Sequence, residues 1–317
     1  MKFSIVIPLY NKALYIKETL QSLVNQTKLP YEIIVVDDKS TDDSLKITKD
    51  FFRKTPLHFN EVIIQIIELE NNYGIGYARN KGFSKASGDV VSFLDADDLY
   101  ANDLIKTANV LMSTYAMDFL ILGIQLFPSN KIYPNINKIK NKITQISSII
   151  SITSNAYCIN NPLELITSHN FYMGVGSNVM LKREHAGSIK FIEERIIYEG
   201  IDYWYRVLRS LSNKRNNIGL LMGEYLQVRE VPESASRKRY NNWHQIDYPP
   251  VLTRFKKSTD YYDKRLKGVV AKRWINHALF SLNNTNQKIV FIFKYRSVFL
   301  QQIHYFFLHK FKNYKKL

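Results

Sequence analysis

The chain reads as an α/β protein built on an open, mostly parallel sheet flanked by helices, followed by a basic, aromatic helical extension. Three observations predict this. Apolar runs of strand length alternate with helical patterns through the first hundred residues, which is the grammar of a parallel sheet with crossover helices. The second and fourth of those runs end in carboxylates, at 37–38 and 95–98, and open sheets of this kind bind ligands at the carboxyl ends of their strands. Finally, no Asp or Glu follows Asp263, and the last 54 residues hold 12 Lys or Arg, which sets the C-terminal part apart from the rest.

The first strand is FSIVIPL at 3–9, and behind it Leu14, Ile16, Leu20, Leu23 and Val24 recur on one helical face. EIIVVDD at 32–38 is a buried strand, with Ser40, Thr41 and Asp42 as candidate caps for a helix carrying Leu45 and Ile47. VIIQIIEL at 62–69 is the third strand, followed by the glycine-punctuated NNYGIGYARNKGFSKASG. The fourth, GDVVSFLDADD at 88–98, empties Val90, Val91, Phe93 and Leu94 directly into Asp95, Asp97 and Asp98. Like charges crowded at a strand end repel one another. They become favourable when a hard divalent cation, Mg²⁺ or Mn²⁺, sits among them with phosphate oxygens completing its shell. The plainer reading has Asp97 and Asp98 capping a helix over 99–111. DFLILGIQLF at 118–127 reads as a further strand, and 128–161 shows no clear periodicity. FYMGVGSNVMLKRE at 171–184 reads as a strand returning to the sheet. Its Gly174, Gly176 and Ser177 would let a ligand approach the backbone, and Asn178 is either a ligand contact or a buried amide.

With 317 residues and 45% hydrophobic content, the chain can bury one α/β domain with an appendage. The assignment is a domain over 1–240, with a first half over 1–111 that carries the ligand-binding strand ends and a second half over 112–240, then an extension over 241–317. The single Cys158 fits a reducing cytoplasm. The start MKFSIVIPLYN lacks the features of a secretion signal, and no apolar run approaches the roughly 20 residues that cross a bilayer. A cytoplasmic protein, peripheral to the inner face of the plasma membrane, is expected.

Four segments, SIVIPLYN at 4–11, EIIVVDDKSTDDS at 32–44, NNYGIGYARNKG at 71–82 and LDADD at 94–98, together resemble the N-terminal half of a family 2 glycosyltransferase with the GT-A fold, of the kind that builds bacterial polysaccharide or lipooligosaccharide. The resemblance implies that Pro8, Tyr10, Asn11 and Asp37 hold the base and ribose of a nucleotide-sugar. It places Asn72, Arg79 and Lys81 near the nucleotide. Asp95 and Asp97 match the DxD motif, with Asp97 the direct metal ligand. The chemistry asks for such parts, because departure of a nucleoside diphosphate builds negative charge that a cation and basic side chains stabilise.

Transfer with inversion also needs a general base at the acceptor hydroxyl. The family's acidic pair opening a helix is matched by YEGIDYWYRVLR at 198–209, with Glu199, Asp202, Trp204 and Arg206 in register. The second member of the pair is Gly200. Three readings follow: Glu199 is the base, Asp202 is the base, or the enzyme is not a straightforward inverting transferase. In VREVPESASRKR at 228–239, Arg229, Ser234 and Ser236 match a segment that closes over the diphosphate in relatives, but Val231 replaces its His. Arg229, Arg237, Lys238 and Arg239 remain to neutralise the diphosphate.

The extension reads as helices over 266–282 and 289–311 around an NNTNQ turn. Basic, aromatic helices suit an anionic membrane surface. Packing on the catalytic domain or on a second subunit, as in a homodimer, is the alternative; nucleic acid is not expected, since no nucleic-acid motif accompanies the charge. The reading as a whole is a metal-dependent hexosyl- or N-acetylhexosaminyltransferase. It would move a sugar from a nucleotide-sugar, with UDP the expected nucleotide, to a lipid-linked surface glycan such as lipopolysaccharide, capsule or O-antigen. The alternatives are a non-catalytic sugar-nucleotide-binding protein of the same fold and a nucleotidyltransferase.

Overall fold

The computed structural model describes residues 1–54, 61–134, 147–151, 155–168, 176–194, 196–212, 217–231 and 238–301. Gly174, Ser234, Ser236, Arg237 and the end of the second expected C-terminal helix lie outside them. The chain divides into two compact units. The first comprises Met1–Ile166, Asn170–Arg195 and Glu199–Glu230; the second is built mainly from Val231–Leu317.

The first unit is organised by β1 (Phe3–Leu9), every residue of which is buried. Parallel to it on one side run β2 (Glu32–Asp37) and then β3 (Ile63–Glu68); on the other side runs β4 (Val90–Phe93). This is the open parallel sheet expected from the alternating runs, and its order β3-β2-β1-β4 reverses direction between β1 and β4. Such a reversal opens a crevice beyond the strand ends. β1 outruns β4, whose pairing stops at Val6↔Phe93, so Pro8 lies where β1 keeps only β2 as a neighbour and its missing N–H removes little from the ladder.

The sheet continues as a mixed one through β10 (Val179–Lys182), β6 (Phe119–Phe127), β11 (Ile218–Arg229), β9 (Ala156–Ile159) and β8 (Ser147–Ser151), with β7 (Lys131–Tyr133) beside β6. Helices α1 (Ile16–Val24), α2 (Ser44–Arg53), α3 (Ile75–Lys85), α4 (Leu104–Thr114), α5 (Pro162–Ile166) and α6 (Glu199–Ser212) complete the unit. Gly82 is what lets α3 lie close on the sheet: a Cβ there would meet Val6 Cγ1 at 2.3 Å and Val36 Cγ2 at 3.2 Å.

Two local expectations fail. Leu14 is 81% exposed, because α1 starts only at Ile16. Asp97 and Asp98 cap no helix: Leu99 and Tyr100 form a short strand, β5, antiparallel to Gln227 and Leu226 of β11, and α4 begins after Asp103. Pairing with a strand more than a hundred residues away overrides the local helical pattern.

In the second unit, α7 (Pro250–Arg254) precedes α8 (Tyr261–Ser281), whose N-terminus is capped by Asp260 accepting from the Tyr262 and Asp263 N–H groups. Asn284 caps α9 (Thr285–Lys294) in the same way, after the expected polar turn. The second helix breaks at Tyr295 and helical backbone resumes at 296. Trp274 and Phe291 are fully buried and pack with Tyr295, Tyr248 and Phe299, with ring centroids 4.7–6.0 Å apart. Much of the aromatic content is therefore a small core. Ile289, Val290, Ile292, Phe293 and Leu300 are exposed. No helix among the described residues is long and apolar enough to cross a membrane.

Candidate active site

The crevice collects the sequence-predicted residues from β1, β2 and β4. At the end of β2, the carboxylates Asp37 and Asp38 are both buried but differently employed. Asp38 accepts from the Tyr73 and Gly74 N–H groups at 2.7 and 2.8 Å, tying the loop before α3 to the sheet. Asp37 Oδ2 accepts from the Ser40 N–H at 3.2 Å, while its Oδ1 is buried with no hydrogen-bond partner. An acceptor left open in this way is costly unless a ligand donor completes it.

Asn11 is committed elsewhere. It sits in the left-handed region at φ 50, which Asn tolerates. Its side chain accepts from the Thr41 N–H at 2.8 Å and donates to Thr41 Oγ1, so it links the loops after β1 and β2. Tyr10 is exposed at the end of β1. Asn72 is half-buried in the loop before α3. Lys81 follows Arg79 by two residues, about 200° around the helix, and so lies off the face that Arg79 buries.

Arg79 has the most interior setting of these residues. It is 1% exposed and bridges two carboxylates, Asp95 at 2.7 Å and Glu199 at 2.9 Å. Burial alone would make the guanidinium release its proton more readily. The charges of Asp95 and Glu199 and their hydrogen bonds outweigh this and raise its pKa above the ordinary value. The guanidinium lies 5.3 Å from the Phe191 ring. A Cβ on Gly176 would fall 2.1 Å from Arg79 Nη2, so glycine is required for the bridge. Trp204 holds that backbone by donating to the Gly176 carbonyl at 3.2 Å.

The same bridge separates the two candidate bases. Glu199, at the start of α6, is joined through Arg79 to Asp95. Asp202 is fully buried and accepts from Arg206 Nε at 2.8 Å, one turn along the helix. It is thereby engaged as an internal ion pair, whereas Glu199 shares its cation with Asp95.

At the β4 end, Asp97 Oδ2 lies 2.5 Å from Lys12 Nζ. Asp98 is buried and accepts from the Arg229 N–H at 3.0 Å and the Ser177 hydroxyl at 3.3 Å. Burial, then the negative charges of Asp95 and Asp97, push its pKa well up, against those two hydrogen bonds. Arg229 also donates to the Asp97 carbonyl at 3.1 Å and pairs with Glu18 at 2.5 Å. Its guanidinium lies 5.0 Å from the Tyr15 ring and 4.5 Å from Phe127. It braces the acidic loop, where the sequence suggested a diphosphate contact. Lys12 and Glu18 escaped sequence reasoning because their partners, Asp97 and Arg229, lie far away along the chain. Asn178 is buried; its Nδ2 donates weakly to the Leu122 carbonyl at 3.5 Å, while its Oδ1 has no hydrogen-bond partner.

One oxygen of each outer carboxylate, Asp95 Oδ1 and Asp97 Oδ2, is engaged by a cationic side chain; the other takes no part in these pairs. Among the described residues no three His, Cys, Asp or Glu side chains are arranged to enclose a metal. A cation here would rest on one or two carboxylates, with phosphate oxygens and water completing its shell, an arrangement Mg²⁺ commonly adopts. The donor set fits in that limited form.

Comparison with known proteins agrees with this architecture. The chain is 35% identical over 125 residues to the poly(ribitol-phosphate) β-N-acetylglucosaminyltransferase TarS of Staphylococcus aureus, a match covering 38% of this chain and 21% of that protein. The chain thus spans about a fifth of the length of the first curated relatives it matches. The solved structure of S. aureus TarS 1–349 with UDP superposes with TM-score 0.57 at 21% identity, over 90% of this chain and 74% of that one. A Pyrobaculum calidifontis mannosyltransferase solved with GDP-Man and Mn²⁺ does so with TM-score 0.55 at 15% identity, over 88% and 72%. At these identities the two structures show a shared fold. The family model for glycosyl transferase family 2 matches residues 4–184, more than half of the sequence and every strand that frames the crevice, and the chain belongs to that family.

Proposed function

We propose that the protein is a metal-dependent glycosyltransferase that moves a sugar, with inversion, from a UDP-sugar to a growing bacterial surface glycan. The observation that carries this is the open, buried Asp37 Oδ1, which suits a ring N–H such as uracil N3–H, one crevice away from the acidic cluster after β4. Asp97 and Asp95 are the residues that would hold the cation, which when bound neutralises charge building on the departing diphosphate. Glu199 takes the proton of the acceptor hydroxyl, oriented for it by Arg79. The N-acetylglucosaminyltransferase name of the TarS relative makes UDP-GlcNAc the first donor to test. A net charge of +16 favours an anionic acceptor or an anionic membrane surface; the exposed apolar side chains of α9, beside Lys294 and Arg296, support the latter.

A thermal-shift panel of UDP-, GDP- and dTDP-sugars with and without Mn²⁺, followed by nucleotide release from the stabilising donor, tests the reading. A Mn²⁺-dependent shift with UDP-sugars and slow release of UDP is expected. Stabilisation without any turnover, once anionic acceptors have been supplied, favours a non-catalytic binding protein. No shift with any donor overturns the site as drawn.

A further inference from the structure

We propose that the Lys12 ammonium is a built-in counter-cation for Asp97 that competes with the divalent metal, so that metal entry displaces Lys12 from the carboxylate. The inference rests on the reading of Asp97 as a metal ligand. Three observations carry it.

Asp97 stands in a cluster of like charges with Asp95 and Asp98. Asp95 has Arg79 at 2.7 Å and Asp98 has hydrogen bonds from Ser177 and Arg229; the side-chain contact given to Asp97 is Lys12 at 2.5 Å. The lysine is aimed by its backbone. Its N–H donates to Ser44 Oγ at 2.6 Å, and its carbonyl accepts from the Tyr15 and Ile16 N–H groups, both at 2.9 Å, as α1 begins. The pair is accessible to exchange, with side chains 28% and 16% exposed, and the Tyr15 ring, 5.9 Å from Nζ, offers the released ammonium a second resting place. An ammonium and a divalent cation on one carboxylate repel each other strongly, so occupation of Asp97 by one disfavours the other.

The test is Mn²⁺ binding to the full chain without donor, followed by the electron paramagnetic resonance signal of free Mn²⁺, with thermal stability measured alongside. Lys12→Met is expected to tighten Mn²⁺ binding by about two- to fivefold, the range for removing a partly exposed competing ion pair. Its melting temperature should fall below wild type in EDTA and recover with Mn²⁺ by more than the wild type gains. A merely structural lysine would not tighten metal binding. Lys12→Gln, which loses the charge while keeping a polar side chain, should repeat the result, and Lys12→Arg should stay near wild type. If Lys12→Met and Lys12→Gln bind Mn²⁺ no more tightly than wild type while Asp97→Asn binds it more weakly, the competition is overturned and the metal ligand stands. If Asp97→Asn binds Mn²⁺ as wild type does, the metal reading fails and the proposal fails with it.

Discussion

The ends of β2 and β4 both carry adjacent carboxylates, yet the fold treats them in opposite ways. At β2, backbone N–H groups satisfy Asp38 twice and Asp37 once, and one oxygen is left open. At β4, Asp95 and Asp97 face cationic side chains, and Asp98 is buried among them with its pKa pushed up. Neutral donors hold a carboxylate in place without cancelling its charge, so the β2 end is prepared for one more N–H. Cations cancel charge, so the β4 end is a compensated cluster whose partners must be exchanged or shared when a charged ligand arrives. Under the proposed function, the two ends would divide recognition of a nucleotide-sugar between its base and its diphosphate.

Removing the central cation should break the β4 side most severely. Arg79→Ala leaves Asp95 and Glu199 facing each other across a buried gap, and a loss of about 3 kcal/mol is expected, the lower end for a broken buried ion pair because the two carboxylates keep some solvent; urea denaturation reads it. Asp37→Ala should leave the fold intact and weaken UDP binding by about ten- to a hundredfold, the cost of one lost hydrogen bond to a buried acceptor. Calorimetry with UDP checks this, and unchanged affinity would put the base elsewhere.

A pH series sharpens the contrast. Because the folded pKa of Asp98 is raised, its contribution is fully present below the unfolded value near 3.9 and is lost as pH rises through the folded value, at up to about 1.4 kcal/mol per pH unit. Measured in EDTA, the stability of Asp98→Asn relative to wild type should therefore grow from about pH 4 upward and then level off. The smallest effect belongs to the second unit. Phe293→Ser on α9 should change stability by less than about 0.5 kcal/mol, as surface substitutions usually do, while reducing sedimentation with anionic vesicles. Unaltered vesicle binding would remove the membrane role.

Legibility in the sequence followed the range of the interactions. β1, β2 and β4 were readable because a strand buried on both faces must be an unbroken apolar run, and FSIVIPL, EIIVVD and VVSF are such runs. The carboxylates at their ends were readable for the same reason: a charge abutting such a run has to lie at the strand's end. The helix over 99–111 was misread because two of its residues are claimed by β11, a pairing with no local sign. Arg79, Asp202 and Arg229 were recognised as motif positions, but their protein partners were not, since each spends charge on a residue chosen by packing. The aromatic extension was read as a membrane surface with packing as the alternative, and which aromatics are core, Trp274 and Phe291 among them, came only from the fold.

By itself, then, the sequence determined the parallel half-sheet, its crevice and the acidic residues that line it, because hydrophobic periodicity and strand-end charge are properties of short stretches. Only the tertiary structure decided that Glu199, and not Asp202, shares a guanidinium with Asp95, that Asp37 keeps an open oxygen, and that Lys12 occupies Asp97. The pairings among them join side chains across 16 to 120 residues of chain, and electrostatic pairing acts on distance in space.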